Sequence, residues 1–297
     1  MSTRRLIIDC DPGIDDAVTL LIAAAHPAHD LQAITCVAGN KPVDVTSENA
    51  RRVLDLAGRP NVPVHRGAER PLLDPLPDDR NYYGADGIGD IGLPDASRPP
   101  DPGHAVDAIV DTVMSAPAGT ISLCAIGPLT NVALAFRKEP ELAARLGALT
   151  IMGGDVGPDA AAEFNISTDA AAAHIVFSSD ASLTLVSYDI TRTVQAGAAS
   201  LDRLAATSSQ TARAAGAMLR FRKPEGSALH DVVALAALVA PDLFTFQTGT
   251  VGVEWRDVDS QGMTTFTPEA GGRHRVVTAI DRPAFERFLL ASLTGEG

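Results

Sequence analysis

Asp9-Cys10-Asp11-Pro12-Gly13-Ile14-Asp15-Asp16-Ala17 sets four carboxylates into one short stretch, directly after the apolar run Leu6-Ile7-Ile8. The run reads as a buried strand, Pro12-Gly13 as the turn that ends it, and Ala17 to Ala25 as a helix. The carboxyl end of a strand is where open α/β sheets place their ligands. Carboxylates crowded there repel one another unless a cation or a proton relieves them. With only oxygen donors on offer the cation is a hard one, calcium or magnesium. N-capping and helix-dipole complementation account for one or two of the four acids, not all. The stretch therefore reads as a metal site.

His230-Asp231, at the head of the apolar run from Val232 to Ala240, is the other pair able to do chemistry. Asp231 alone suits an N-cap, and a lone histidine is more often packed than catalytic. Together with the acidic stretch, a metal-held water, a carboxylate base and a histidine acid make a hydrolytic set. Two further motifs fail on context. Gly87-Ile88-Gly89-Asp90-Ile91-Gly92 matches G-x-G-x-x-G but follows no strand and is succeeded by Leu93-Pro94 rather than a helix. Asp9-x-Asp11-x-Gly13 starts like a calcium loop, but its twelfth position is Leu20, not the bidentate glutamate an EF-hand needs.

The elements that must carry these residues alternate strand and helix. Strands are expected at 31–38, 62–65, 120–125, 148–152 and 183–187. Helices are expected at 43–57, 105–116, 170–177, 200–222 and 231–240, with one more opened by Gly127-Pro128. Residues 250–280 read as antiparallel strands closed by a helix at 283–293. Two stretches, 70–102 and 155–168, read as functional loops. Repeated β-α units imply an α/β fold. The expectation is a single domain over residues 1–297: a Rossmann-like open, mainly parallel sheet with helices on both faces and a small antiparallel C-terminal extension. Asp9/Asp11, Gly39-Asn40, Ile126-Gly127 and Gly153-Gly154 each stand just past a strand, so a parallel sheet gathers them at one edge.

The bounds agree with this. A chain of 297 residues can bury a large core, and a net charge of -13 disfavours nucleic acid or an anionic membrane as partner. No apolar run reaches the length of a membrane helix, and Cys10, Cys36 and Cys124 are widely spaced in strand-like contexts, so neither disulfides nor zinc are expected. A cytoplasmic protein is the expectation.

Asp9 to Ala17 resembles the N-terminal signature of the inosine-uridine preferring nucleoside hydrolases. The likeness continues in family order through Val37-Ala38-Gly39-Asn40, Ala125-Ile126-Gly127-Pro128-Leu129-Thr130-Asn131, Met152-Gly153-Gly154, Ala162-Glu163-Phe164-Asn165-Ile166 and His230-Asp231. The resemblance implies hydrolysis of the N-glycosidic bond of ribonucleosides to ribose and free base, in purine or pyrimidine salvage and nucleoside catabolism. It further implies Ca2+ held by Asp11, Asp16, Asp231 and the backbone carbonyl of Ile126, with Asp11 as general base and His230 as proton donor to the leaving base. Asp15 and Asn40 would hold the ribose hydroxyls, and Glu163 and Asn165 the other side of the sugar, with Met152 packed beneath. A homodimer or homotetramer is implied as well.

The sequence departs from the family pattern on the base side. Tyr83 stands where many members carry a histidine, and Met218, Phe221 and Arg222 occupy a helix where some relatives place tyrosines. Tyr83 and Arg222 are counted with the substrate-binding residues, and the preferred base stays open. Two other readings compete: a non-catalytic nucleoside-binding protein that keeps the metal pocket, and an aspartate-nucleophile phosphatase built on Asp9-x-Asp11. Pro12-Gly13 is wrong for the phosphatase, and intact Asp11 and His230 weigh against the binding protein.

Overall fold

The computed structural model describes residues 4–26, 29–76, 82–221 and 227–295. The first half runs β1 (Arg4–Cys10), α1 (Ile14–Ala25), β2 (His29–Cys36), α2 (Val43–Leu56), β3 (Val64–Arg66) and α3 (Ala105–Ser115). Next come β4 (Ile121–Ala125), α4 (Thr130–Lys138), the short α5 (Leu142–Arg145), β5 (Ala148–Met152), α6 (Phe164–Thr168) and α7 (Ala170–Phe177). The chain continues with β6 (Leu183–Val186), the single turn α8 (Tyr188–Thr191), α9 (Ala198–Ala206), α10 (Gln210–Arg220) and α11 (His230–Val239). A 3-10 turn at Pro241–Leu243 leads to β7 (Phe244–Val253), β8 (Thr264–Pro268), β9 (His274–Ile280) and α12 (Arg282–Thr294).

The nine strands among the described residues form one sheet, in the order β3-β2-β1-β4-β5-β6-β9-β7-β8. The six leading strands pair in parallel, and the order reverses between β1 and β4, which is where such sheets open a ligand crevice. β1 illustrates the layering. Leu6, Ile8 and Cys10 point into one core and Ile7 into the other, as a pleated strand requires. The first core is filled from α1, α2, α10, α11 and α12 (Val18, Leu21, Val53, Met218, Leu235, Leu289), the second from α3, α4 and α7 (Ile109, Val132, Val176). Helices thus cover both faces of a mainly parallel sheet. The three cysteines are buried and unpaired within strands. Among the described residues no helix is long and apolar enough to cross a membrane.

Three local expectations are corrected. The helix read over 200–222 is two, α9 and α10. Thr207-Ser208-Ser209 breaks it: Ser209 caps α10 by accepting the Ala212 N–H at 3.2 Å, and hydroxyl side chains compete with helical bonding. The end of the 155–168 segment is helical, because Glu163 accepts the N–H groups of Asn165 and Ile166 and starts α6. The helix after Gly127-Pro128 begins only at Thr130. The C-terminal strands are antiparallel to one another, as expected, β7 pairing with β8 and β9, and β9 joins β6 in parallel and so attaches them to the main sheet.

The 70–102 segment forms no helix or strand among its described residues, yet it is tied down from α2. Asn49 donates to the Asp86 carbonyl at 2.8 Å, Arg51 to the Arg98 carbonyl at 2.5 Å, and Asp55 accepts the Ser97 N–H at 2.6 Å. Asp86 and Asp90 fold residues 84–90 on themselves by accepting nearby backbone N–H groups, and Ile88 is fully buried. This anchoring carries Tyr82 and Tyr83 to the mouth of the crevice.

Candidate active site

Asp11, one residue past β1, is buried at the switch point. Its Oδ2 accepts the Asn40 N–H at 2.6 Å, and the Asn40 side chain donates back to the Asp11 carbonyl at 3.2 Å. Its Oδ1 is buried with no hydrogen-bond partner. Two strand-end glycines let this carboxylate in. A Cβ on Gly127 would lie 2.6 Å from Oδ1, and one on Gly39 would overlap Oδ2.

The next acids come from helix starts. Asp15 and Asp16 occupy the first turn of α1, and Asp231 the first turn of α11, so two helix N-termini converge on the same point and favour negative charge there. Asp231 is not the N-cap; Leu229 is, without a side-chain cap, which leaves the Asp231 carboxylate for the cluster. Asp16 accepts the N–H groups of Asp11 at 3.1 Å and Gly13 at 3.0 Å. Asp15, Asp16 and Asp231 each offer a carboxylate oxygen within 4.8 Å of the others. Asp9 belongs elsewhere: its Oδ1 accepts from Thr35 at 2.6 Å and Asn131 at 2.9 Å, tying β1 to β2 and α4.

This crowding shifts the acids strongly. Burial, and then the Asp15 charge, push Asp16 up to about 7. Burial raises Asp11 well above the usual carboxylate range, reinforced by Asp16, and raises Asp231 likewise, reinforced by Asp15 and Asp16. Asp15 is raised by burial, with the His230 charge pulling the other way. Without a cation, such a group holds protons or repels; a bound cation removes both costs. An all-oxygen set with an orphaned buried oxygen beside it fits a hard cation of calcium type.

The opposite wall comes from α6 and the end of β5. Glu163 is buried and accepts three backbone N–H groups, from Gly154 (2.9 Å), Asn165 (3.0 Å) and Ile166 (3.1 Å). Burial raises its pKa and these bonds oppose the rise. The Asn165 side chain donates to the carbonyls of Ile126 (3.0 Å) and Met152 (3.3 Å), which orients the Ile126 carbonyl at the end of β4.

A cavity of about 680 Å³ joins these walls. Asp15, Asp16, Asn40, Ile126 and Met152 line it, as do Tyr83, Glu163, Asn165, His230 and Asp231. Asp11 lies behind that lining, beneath Gly39 and Asn40. Arg222 lies outside the described residues. A smaller cavity of about 180 Å³ adjoins on the His230 side, walled by Tyr82, Tyr83, Tyr188, Arg192 and Gln195. Every tyrosine of the chain is therefore at the crevice, although aromatics are only 4% of the residues. Tyr188 stacks on His230 with centroids 5.3 Å apart, and Thr191 Oγ1 lies 2.7 Å from His230 Nδ1. Tyr188, Thr191, Phe164 and Asp155 are the residues that reasoning from sequence passed over. The signal for Tyr188 and Thr191 was present: they directly follow the strand Leu183–Val186, at the same edge as the other strand-end residues.

A family model described as inosine-uridine preferring nucleoside hydrolase matches residues 6–287. The chain belongs to that family. An uncharacterized protein of Schizosaccharomyces pombe is 39% identical to it over 88% of each chain. The pyrimidine-specific ribonucleoside hydrolase RihA of Salmonella schwarzengrund is 36% identical over 97% of each. Among solved structures, a plant nucleoside hydrolase superposes with a TM-score of 0.91 at 31% identity, covering 98% of this chain and 99% of that one. The purine-preferring ribonucleoside hydrolase from Gardnerella vaginalis follows at 0.90 and 27%, with 98% of each chain covered. This nucleoside hydrolase is thus a glycosidase acting on small nucleosides, and Asp15, Asp16 and Asp231 form a metal site matching the family's calcium site.

Proposed function

We propose that this nucleoside hydrolase cleaves ribonucleosides to ribose and free base with Asp11 as general base and His230 as acid to the departing base. Asp16 and Asp231 of the carboxylate cluster, with Asp11 and the Ile126 carbonyl, would hold calcium, leaving Asp15, the third acid of that cluster, beside the ion. Asp15 and Asn40 take the ribose hydroxyls, Glu163 and Asn165 grip the far side of the sugar, and Met152 packs beneath it. The observation that carries the reading is the orphaned, buried Oδ1 of Asp11, near enough to Asp16 and Asp15 to feel their charges, behind a cavity that His230 and Asp231 also line. Bound calcium would order the sugar hydroxyls and acidify a water molecule. Asp11, held by the Asn40 N–H, would take a proton from the attacking water as its oxygen bonds to the ribosyl carbon. Positive charge builds on the ribosyl ring as the bond breaks, and the surrounding carboxylates stabilise it. His230 protonates the base as it leaves.

The whole chain acts as one unit, with residues 70–102 as an active-site loop that brings Tyr83 to the base. The relatives' names point to different bases, pyrimidine for RihA and purine for the Gardnerella enzyme. The three tyrosines support stacking on a planar base of either kind. A cytoplasmic homodimer or homotetramer completes the reading, and light scattering on the purified protein tests the assembly. The main experiment measures ribose release from inosine, uridine, cytidine, adenosine and p-nitrophenyl riboside, with calcium and after its removal. His230→Ala is expected to lower kcat about 100-fold or more on the natural nucleosides and far less on the nitrophenyl riboside, whose leaving group needs no proton. Equal losses on both would remove the acid role.

A further inference from the structure

His230 is gripped by one turn of chain. α8, only Tyr188 to Thr191, is pinned to the sheet by the Tyr188 N–H, which donates to the Gly154 carbonyl at 2.7 Å. Its first residue lays a ring on the imidazole, 5.3 Å between centroids and 24° from parallel. Its last residue, Thr191, is fully buried and sets Oγ1 2.7 Å from Nδ1 of His230. A hydroxyl has one hydrogen. The Tyr188 carbonyl lies 3.3 Å from the same oxygen and can take that hydrogen, which turns Thr191 into an acceptor towards His230. In that arrangement the proton between the two belongs to Nδ1. An imidazole with Nδ1–H anchored presents Nε2 as its exchanging nitrogen, on the opposite side of the ring from Thr191.

We propose that Thr191 is a positioning residue for the reaction: its buried hydroxyl accepts from Nδ1–H of His230 and fixes the ring's aim, so that the imidazolium gives its Nε2 proton to the leaving base and is left as the neutral Nδ1–H ring. The inference rests on the acid role proposed for His230. Thr191 touches neither sugar nor base; it acts through His230. The sequence Tyr188-Asp189-Ile190-Thr191 puts face and edge support three residues apart, the spacing that brings both onto one side of a helical turn.

The test uses the full-length calcium-loaded enzyme and three variants. Thr191→Val keeps the shape and removes the acceptor, Thr191→Ser keeps the oxygen, and His230→Ala removes the acid. Thr191→Val is expected to lower kcat on inosine and uridine about tenfold to hundredfold, a part of what general-acid catalysis supplies, with KM little changed. On p-nitrophenyl riboside it is expected to stay near the parent rate, and Thr191→Ser to restore the natural substrates. A purely structural role would depress both substrate types together; that result, or no loss on either, overturns the proposal. If His230→Ala discriminates between the substrates and Thr191→Val does not, Thr191 loses its role while the acid assignment stands. If His230→Ala fails to discriminate, both fall. Independently of how any variant folds, imidazole 15N shifts of the parent enzyme report the tautomer. Nδ1–H on the neutral His230 ring is expected, and Nε2–H would overturn the proposal.

Discussion

On the side of the crevice proposed to hold the sugar, Asp11, Asn40 and Ile126 stand just past strand ends, and Asp11, Asp16 and Glu163 each accept backbone N–H groups. On the side proposed to face the base, Tyr82 and Tyr188 are exposed side chains presented by a long loop and a four-residue turn. The first half is held by hydrogen bonds from backbone N–H groups at strand ends and helix starts, so the fold sets where its carboxylates stand. The second half is set by segments that can change without disturbing the sheet. A single scaffold can thereby keep its bond-breaking chemistry while its base contacts vary, as the differing base labels of its relatives illustrate.

The sharpest way to break this contrast is Asp11→Ala. Turnover is expected to fall about a thousandfold or more on every substrate, since base catalysis and the calcium site go together. Circular dichroism and melting would report a retained fold, because the deletion relieves a crowded charge rather than opening the core. Activity within tenfold of the parent would end the general-base assignment. Gly39→Ala should act through the same carboxylate. The added methyl overlaps Asp11 Oδ2 and competes with the Asn40 N–H, so a displacement of the order of 1 Å is expected to lower kcat about a hundredfold. Unchanged kinetics would show that Asp11 can move freely, contrary to its buried position.

How much of this could be read from residues alone follows the same divide. The Asp11, Asn40, Ile126 and Gly153 positions were legible because each is a short signal at the end of an apolar run, and parallel strands must end together. Asp231 was legible as part of the hydrolytic set, and the competing reading as an N-cap falls because Leu229 takes that position. Tyr188 and Thr191 also follow a strand end, but that position alone does not single them out. Their importance comes from how α8 packs on His230, a contact across about forty residues that no local spacing encodes. The division of 200–222 into two helices was visible only as a run of hydroxyl residues, a weak break in an otherwise continuous pattern.

Calcium removal sharpens the comparison by its pH dependence. In the calcium-free protein Asp16 is pushed up to about 7, and Asp11 and Asp231 are raised as well, against about 3.9 for an unfolded aspartate. Between those values the folded chain binds more protons than the unfolded one. Calcium-free stability from these groups is therefore full below about pH 4 and is lost as pH rises through 7. Calcium must displace the same protons, so its affinity rises with pH. The gap in Tm between calcium-loaded and calcium-depleted protein is expected to widen from pH 5.5 to pH 8. A gap that is constant, or that narrows, would mean that the cluster does not hold the ion.

The smallest effect is expected on the base side, from Tyr188→Leu. The ring is partly exposed, and losing one stacking surface costs about 0.5–1.5 kcal/mol, which is a rise in KM of roughly threefold to tenfold for inosine or uridine. Inhibition by ribose, which engages only the sugar side, should be unchanged. Because Tyr188 also lies on His230, the split between kcat and KM decides what it does. A rise in KM alone makes it a wall for the base. A fall in kcat confined to substrates with poor leaving groups would make it a second support of the imidazole, beside Thr191. A change in ribose inhibition would show the two halves of the crevice to be coupled, and the separation drawn between them would fail.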